Sequence, residues 1–154
     1  MHSPSKFHIG LSSANEYFDM DGMMKKIESG YHTTYNVQVM KIATSPDLAN
    51  IEASRRGCRL ESETQNLTLF KIYSQSVCKL EVQMKHAKNY CKCVPWYFPN
   101  EGSAKYTICD KMGNHCFKKK MNEIKVSKET CPPSCEQIRF ITSEIHKKTY
   151  PVKE

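Results

Sequence analysis

The side chains in this sequence whose type and spacing can do chemistry are eight cysteines: Cys58, Cys78, Cys91, Cys93, Cys109, Cys116, Cys131 and Cys135. Between residues 58 and 135 they reach a density of about 10%, the level of a disulfide scaffold. Thiolates can hold zinc, exchange disulfides catalytically, or pair as structural cystines. Zinc sites draw on C-x₂₋₄-C or H-x₃₋₅-H pairs, and among the cysteines Cys131-x₃-Cys135 alone fits, Cys91-x-Cys93 being too tight. A redox enzyme sets C-x-x-C near a βαβ pattern, and neither is present. Structural cystines are the best reading. The even count permits full pairing, and count alone leaves roughly 105 connectivities open.

Other residues offer weaker signals. Asn66-Leu67-Thr68 is an N-glycosylation sequon if the segment is extracellular and exposed. His115 beside Cys116 invites a metal, but a solvated histidine near a helix start is the simpler expectation. Lys118-Lys119-Lys120 reads as a solvated helix face rather than a surface for nucleic acid or anionic lipid. Trp96-Tyr97-Phe98, between Pro95 and Pro99, is expected to fold back and pack. No G-x-S-x-G or H-E-x-x-H motif occurs, and no Cys-His dyad can be spared from the disulfides. The sequence therefore implies no enzyme, no catalytic or metal residue and no cofactor.

These residues need elements to position them. The chain has 154 residues, a formal charge of +7 and a mean hydropathy of −0.62, which suits one domain with a modest core. Residues 1–54 hold 4 basic and 6 acidic side chains, whereas 55–154 hold 19 and 10. The basic character thus belongs to the Cys-rich part. Tyr35 to Ala43 carries Val37 and Val39 on one face before a breaker at Ser45-Pro46-Asp47, and reads as a strand. Ser74 to Lys88 spaces Val77, Leu80, Met84 and Ala87 at three and four, with Ser74 as N-cap, and reads as an amphipathic helix. A second helix is expected over Asn114 to Val126, capped by Asn114, with Phe117, Met121 and Ile124 in one stripe. Glu136 to Ile145 alternates Ile138 and Phe140 with Arg139, as a strand does. Phe7 to Gly30 has no consistent period. The expected fold class is α+β, with two helices inside a disulfide cluster.

No window reaches the ~18 apolar residues of a membrane span, and MHSPSKFHIG lacks the apolar core of a secretory signal. Disulfides nevertheless belong to oxidising compartments. The economical expectation is a piece of a longer, membrane-inserted chain.

Arg56-Gly57-Cys58-Arg59-Leu60-Glu61-Ser62-Glu63, Tyr73-Ser74 before Cys78, Cys91-Lys92-Cys93-Val94-Pro95-Trp96-Tyr97-Phe98-Pro99, then Cys109, Cys116 and Cys131-Pro132-Pro133-Ser134-Cys135 together resemble the extracellular region of the epithelial sodium channel/degenerin family. The match is nearest to the insect pickpocket branch and is specific from about Arg55 to Phe140.

The resemblance implies a "thumb" of two antiparallel helices pinned by nested disulfides and mounted on antiparallel "palm" strands. Residues 1–54 would be partial palm and knuckle, 55–135 the thumb, and 136–154 a returning palm strand. The pairs implied are Cys58 with Cys135, Cys78 with Cys131, Cys91 with Cys116, and Cys93 with Cys109. Members with five rungs would place the extra pair at Val82 and Glu129, and both cysteines are absent here. Acid-sensing members set carboxylates in the two turns after the equivalent of Cys116, where this chain has lysines, and a tryptophan where it has Arg56. The function implied is the extracellular part of an amiloride-sensitive type sodium channel subunit at the plasma membrane, trimeric with other subunits and passing sodium ions through pore helices absent here. The alternative from another class is a stand-alone secreted disulfide-rich binding module.

Overall fold

The computed structural model describes residues 6–17, 24–65, 67–100, 106–124 and 126–149. The architecture is α+β, in two compact units: Met1–Thr44 with Glu136–Glu154, and Ser45–Cys135. The chain passes into the second unit at Thr44–Ser45, upstream of the charge shift near residue 55. The reason is local: a 3₁₀ turn over Pro46–Asn50 and a short helix α1 (Ala53–Arg56) are tied together where Arg56 donates to the Leu48 carbonyl at 3.1 Å.

The strand unit contains two antiparallel pairs. β1 (Lys6–Ile9) pairs with β2 (Lys25–Glu28), and β3 (Tyr31–Ile42) with β4 (Gln137–Thr149). The first pair lies where the sequence shows no consistent period, because Lys6-Phe7-His8-Ile9 alternates over only four residues and Lys25-Lys26-Ile27-Glu28 does not alternate. Gly30, at φ 85°, turns β2 into β3 in a region that a Cβ disfavours. β3 is rich in β-branched and aromatic residues, which suit a pleated strand. It begins four residues before the expected Tyr35, and β4 continues past Ile145 to Thr149. Opposite Thr34 and Tyr35 the partner jumps from His146 to Glu144, so Ile145 is the extra residue of a β-bulge.

The helical unit holds α2 (Gln75–Cys91) and α3 (Lys111–Met121). Ser74 caps α2, its hydroxyl accepting the Val77 N–H at 3.2 Å. Val77, Leu80, Met84 and Ala87 form its buried face, joined by Tyr73, Val94, Phe98 and Phe117. Phe98 and Phe117 meet edge to face at 5.4 Å, a favoured aromatic geometry.

α3 differs from the expected 114–126. The N-cap is Asp110, whose carboxylate accepts the Gly113 N–H at 2.7 Å, so the helix nucleates earlier. Asn114 lies inside it and donates to the Cys109 and Asp110 carbonyls. At the other end the Glu123 and Ile124 N–H groups bond three residues back, to Lys120 and Met121. This tightened last turn, followed by β-branched Ile124 and Val126, ends the helix before the expected stripe is complete.

Candidate functional site

The structure pairs all eight cysteines, leaving no free thiol and so no thiolate for zinc. Cys58 is joined to Cys135, Cys78 to Cys131, Cys91 to Cys116 and Cys93 to Cys109. The pairs nest, with sequence separations of 77, 53, 25 and 16. In the chain-entropy account the outermost closure contributes about 4.5 kcal/mol and the innermost about 3, and nested closures do not add. Two short helices with a core this small are otherwise marginal.

Backbone hydrogen bonds flank the two end rungs. Beside Cys58–Cys135, Arg59 N–H donates to Pro133 O at 2.9 Å and Cys135 N–H to Arg59 O at 2.8 Å. The Tyr73 hydroxyl adds a 2.6 Å bond to Pro132 O, under the Arg59 guanidinium 5.4 Å from its ring. At the opposite rung, Val94 N–H donates to Thr107 O and Cys109 N–H to Val94 O, both at 2.9 Å. Each end is therefore fixed by a covalent bond plus a short backbone ladder, which gives a stiff body between them.

Two charged clamps were not legible as a motif. Glu81 is 2% exposed on α2, and its carboxylate accepts the Thr68 N–H and hydroxyl at 2.7 Å each, the Leu69 N–H at 3.1 Å and Lys85 at 2.8 Å. Burial pushes this carboxyl up, but the hydrogen bonds from Lys85, Thr68 and Leu69 outweigh it and hold it below the usual glutamate range. Glu63 behaves similarly. Burial raises it, while the Leu60 N–H, the Arg56 hydrogen bond and the charges of Arg56 and Arg59 bring it below its ordinary value. The Arg56 side chain is fully enclosed, so its ion pair with Glu63 answers a charge that water does not reach.

The remaining sequence-selected residues are placed as follows. Asn66 lies outside the described residues, while Thr68 of its sequon is held by Glu81. His115 is exposed, as are Lys118 and Lys119. Phe98 packs, but Trp96 is 75% exposed: the bend that buries Pro95 and Phe98 on either side turns the intervening indole outward. Val82 is half-buried and Glu129 exposed. Between the Cys78–Cys131 and Cys91–Cys116 rungs a cleft of about 310 Å³ opens, lined in part by Val82, His86, Tyr90 and Lys120. No helix among the described residues is long and apolar enough to cross a membrane.

Comparison with known proteins bears on this arrangement. The family model described as Amiloride-sensitive sodium channel matches residues 2–153. Pickpocket protein 28 of Drosophila melanogaster is 29% identical over 100 residues, covering 62% of this chain and 16% of that protein. The Bile acid-sensitive ion channel of Homo sapiens is 27% identical over 145 residues, covering 91% of this chain and 25% of that protein. The chain thus spans a quarter or less of the length of these relatives.

Proposed function

Because the chain belongs to the amiloride-sensitive sodium channel family, a family of ion channels and not of enzymes, we propose that it is the extracellular segment of a sodium channel subunit at the plasma membrane. The helical unit acts as the thumb and the strand unit as part of the palm. In the assembled protein, subunits form a trimer, and sodium ions pass through pore helices outside this sequence. Asn66 carries a glycan on the same reading.

The observation that carries this proposal is the nested ladder across Ser45–Cys135. A body cross-linked at both ends moves as a whole, so a stimulus received on it is transmitted rather than absorbed. Chain connectivity supports the route: β3 leads into the helical unit and β4 leads out of it, and these strands pair over their full length from Ile42–Gln137 to Tyr31–Thr149.

The test uses the full-length subunit containing this segment. An antibody raised against the oxidised chain is expected to label intact cells, and the same cells to carry an amiloride-blocked sodium current that external dithiothreitol alters. Labelling only after permeabilisation, or a current unchanged by amiloride, overturns the proposal.

A further inference from the structure

The rungs of the ladder are not equally protected. Cys78, Cys93, Cys109, Cys131 and Cys135 are all buried, so every rung but one holds at least one buried cysteine. The first turn of α3 also covers the innermost rung, because Gly113 rests directly on Cys93 Sγ. In the Cys91–Cys116 rung neither residue is buried, each being half-exposed. It is therefore the rung most open to a small solute.

The charge around that rung differs as well. No Asp or Glu stands within four residues of Cys91 or Cys116. Each other rung has a carboxylate within that span: Glu61 and Glu136 at the outermost, Glu81 and Glu129 at the next, Asp110 at the innermost. Lys88 precedes Cys91 by one turn of α2, Lys92 follows it, and Lys119 lies one turn beyond Cys116 on the same side of α3. All three lysines are exposed, and none is in an ion pair among the described residues, whereas Lys120 is held by Glu123. Uncompensated lysines beside a disulfide draw an anionic thiol to it and stabilise the thiolate that departs. The two sulfurs are not equivalent. Cys91 is the last residue of α2, at the negative end of the helix dipole, where a thiolate is disfavoured. Cys116 lies inside α3 with Lys119 one turn on, so it is the better leaving group.

We propose that the Cys91–Cys116 rung is a modification site for a small anionic thiol of the glutathione class. The incoming thiolate attacks Cys91 Sγ. A sulfur–sulfur bond to Cys91 forms as the Cys91–Cys116 bond breaks, and the electron pair of the broken bond leaves on Cys116 as a thiolate. The product is a mixed disulfide on Cys91 and a free Cys116, with no net oxidation or reduction. Attack of the Cys116 thiolate back on Cys91 expels the small thiol and restores the rung, so the modification is reversible. The other three cystines still close the chain while this one is open, so modification loosens the helical unit without releasing it. The site is independent of the channel assignment, since exchange is read on the 154-residue chain itself.

The test exposes the oxidised chain to reduced glutathione at mildly alkaline pH, quenches with N-ethylmaleimide at intervals and maps peptides without further reduction. Cys91–Cys116 is expected to open roughly tenfold faster than any other rung, with glutathione on Cys91 and maleimide on Cys116. At matched thiolate concentration the cationic thiol cysteamine should react roughly threefold more slowly, and added salt should narrow that gap. Lys119→Glu, on an exposed position of α3, should slow glutathione by roughly threefold while the untreated variant still yields all four disulfide-linked peptides. If that variant fails to form them, the comparison of the two thiols on the unaltered chain decides alone. Another rung opening first, all four opening together, or glutathione found on Cys116 overturns the site. So do equal rates for the two thiols, or an unaltered glutathione rate in a correctly paired Lys119→Glu.

Discussion

Gly113 and Cys93 approach so closely that a methyl group has no place between them: a Cβ on Gly113 would lie 2.5 Å from the Cys93 sulfur and 3.1 Å from Cys109 Cβ. Here glycine is required by space rather than by backbone angle. The first turn of α3 rests directly on the Cys93–Cys109 rung, and both neighbouring atoms belong to a cystine that cannot swing away.

Gly113→Ala is therefore expected to destabilise the oxidised chain despite alanine's higher helix propensity. Overpacking of this kind costs about 1–3 kcal/mol. Thermal denaturation should show a lowered Tm, and peptide mapping a reduced yield of the Cys93–Cys109 peptide. An unchanged or raised Tm would show that the helix start can retreat from the rung.

Glu81 makes the loop at Thr68 and Leu69 sensitive to acid. Its folded carboxyl sits below its ordinary value, so its stabilisation is complete above the unfolded pKa of about 4.3 and is lost as pH falls through the folded value. Protection of the Thr68 and Leu69 amides, measured relative to their intrinsic exchange rate at each pH, should fall as the pH drops below the ordinary glutamate range. Glu81→Gln should abolish that pH step and cost about 1–3 kcal/mol, since the amide cannot satisfy the same donors. A step that persists in the glutamine variant would assign it to another group.

The Arg56–Glu63 pair predicts an asymmetry between its two partners. Glu63→Ala strands an enclosed guanidinium and should cost about 3 kcal/mol, somewhat less than a fully buried pair because Glu63 keeps some solvent contact. Arg56→Met removes the buried charge together with its need for a partner and should cost distinctly less. Urea denaturation of the two variants separates these cases, and equal losses would contradict the burial argument.

Lys92 ends α2 in the left-handed region at φ 61°, between two cysteines committed to different rungs. A Cβ there costs about 1–2 kcal/mol, offset in part by its Nζ bond to Asn89 O at 2.8 Å. Lys92→Gly is expected to stabilise the chain by about 0.5–1 kcal/mol, visible as a higher Tm. A fall in Tm would mean that the Nζ bond outweighs the backbone relief.

Local pattern accounts for much of α2. Val77, Leu80, Met84 and Ala87 recur at helical spacing, and Ser74 stands one position ahead of the first turn, so burial and cap follow from local pattern. The cysteine content likewise marked Cys58 to Cys135 as a disulfide body, and the order of Cys91-Lys92-Cys93 through Cys135 marked the family. α3 was less legible, because Asn114 is a good cap by type, whereas the helix is capped four residues earlier by Asp110, whose carboxylate accepts the Gly113 N–H.

Outside the disulfides, which side chains meet was set by the three-dimensional packing. No local pattern marks Arg56 for enclosure with Glu63, and none marks Glu81 as the acceptor of the three donors that Thr68 and Leu69 bring to it. Gly113 carries no local signal of a close approach, and Trp96 reads as a packing residue until the bend between Pro95 and Phe98 turns it out. Periodicity reports which face of an element is apolar, but charge satisfaction and steric contact depend on groups outside that element, and the direction of Trp96 depends on a turn that has no period.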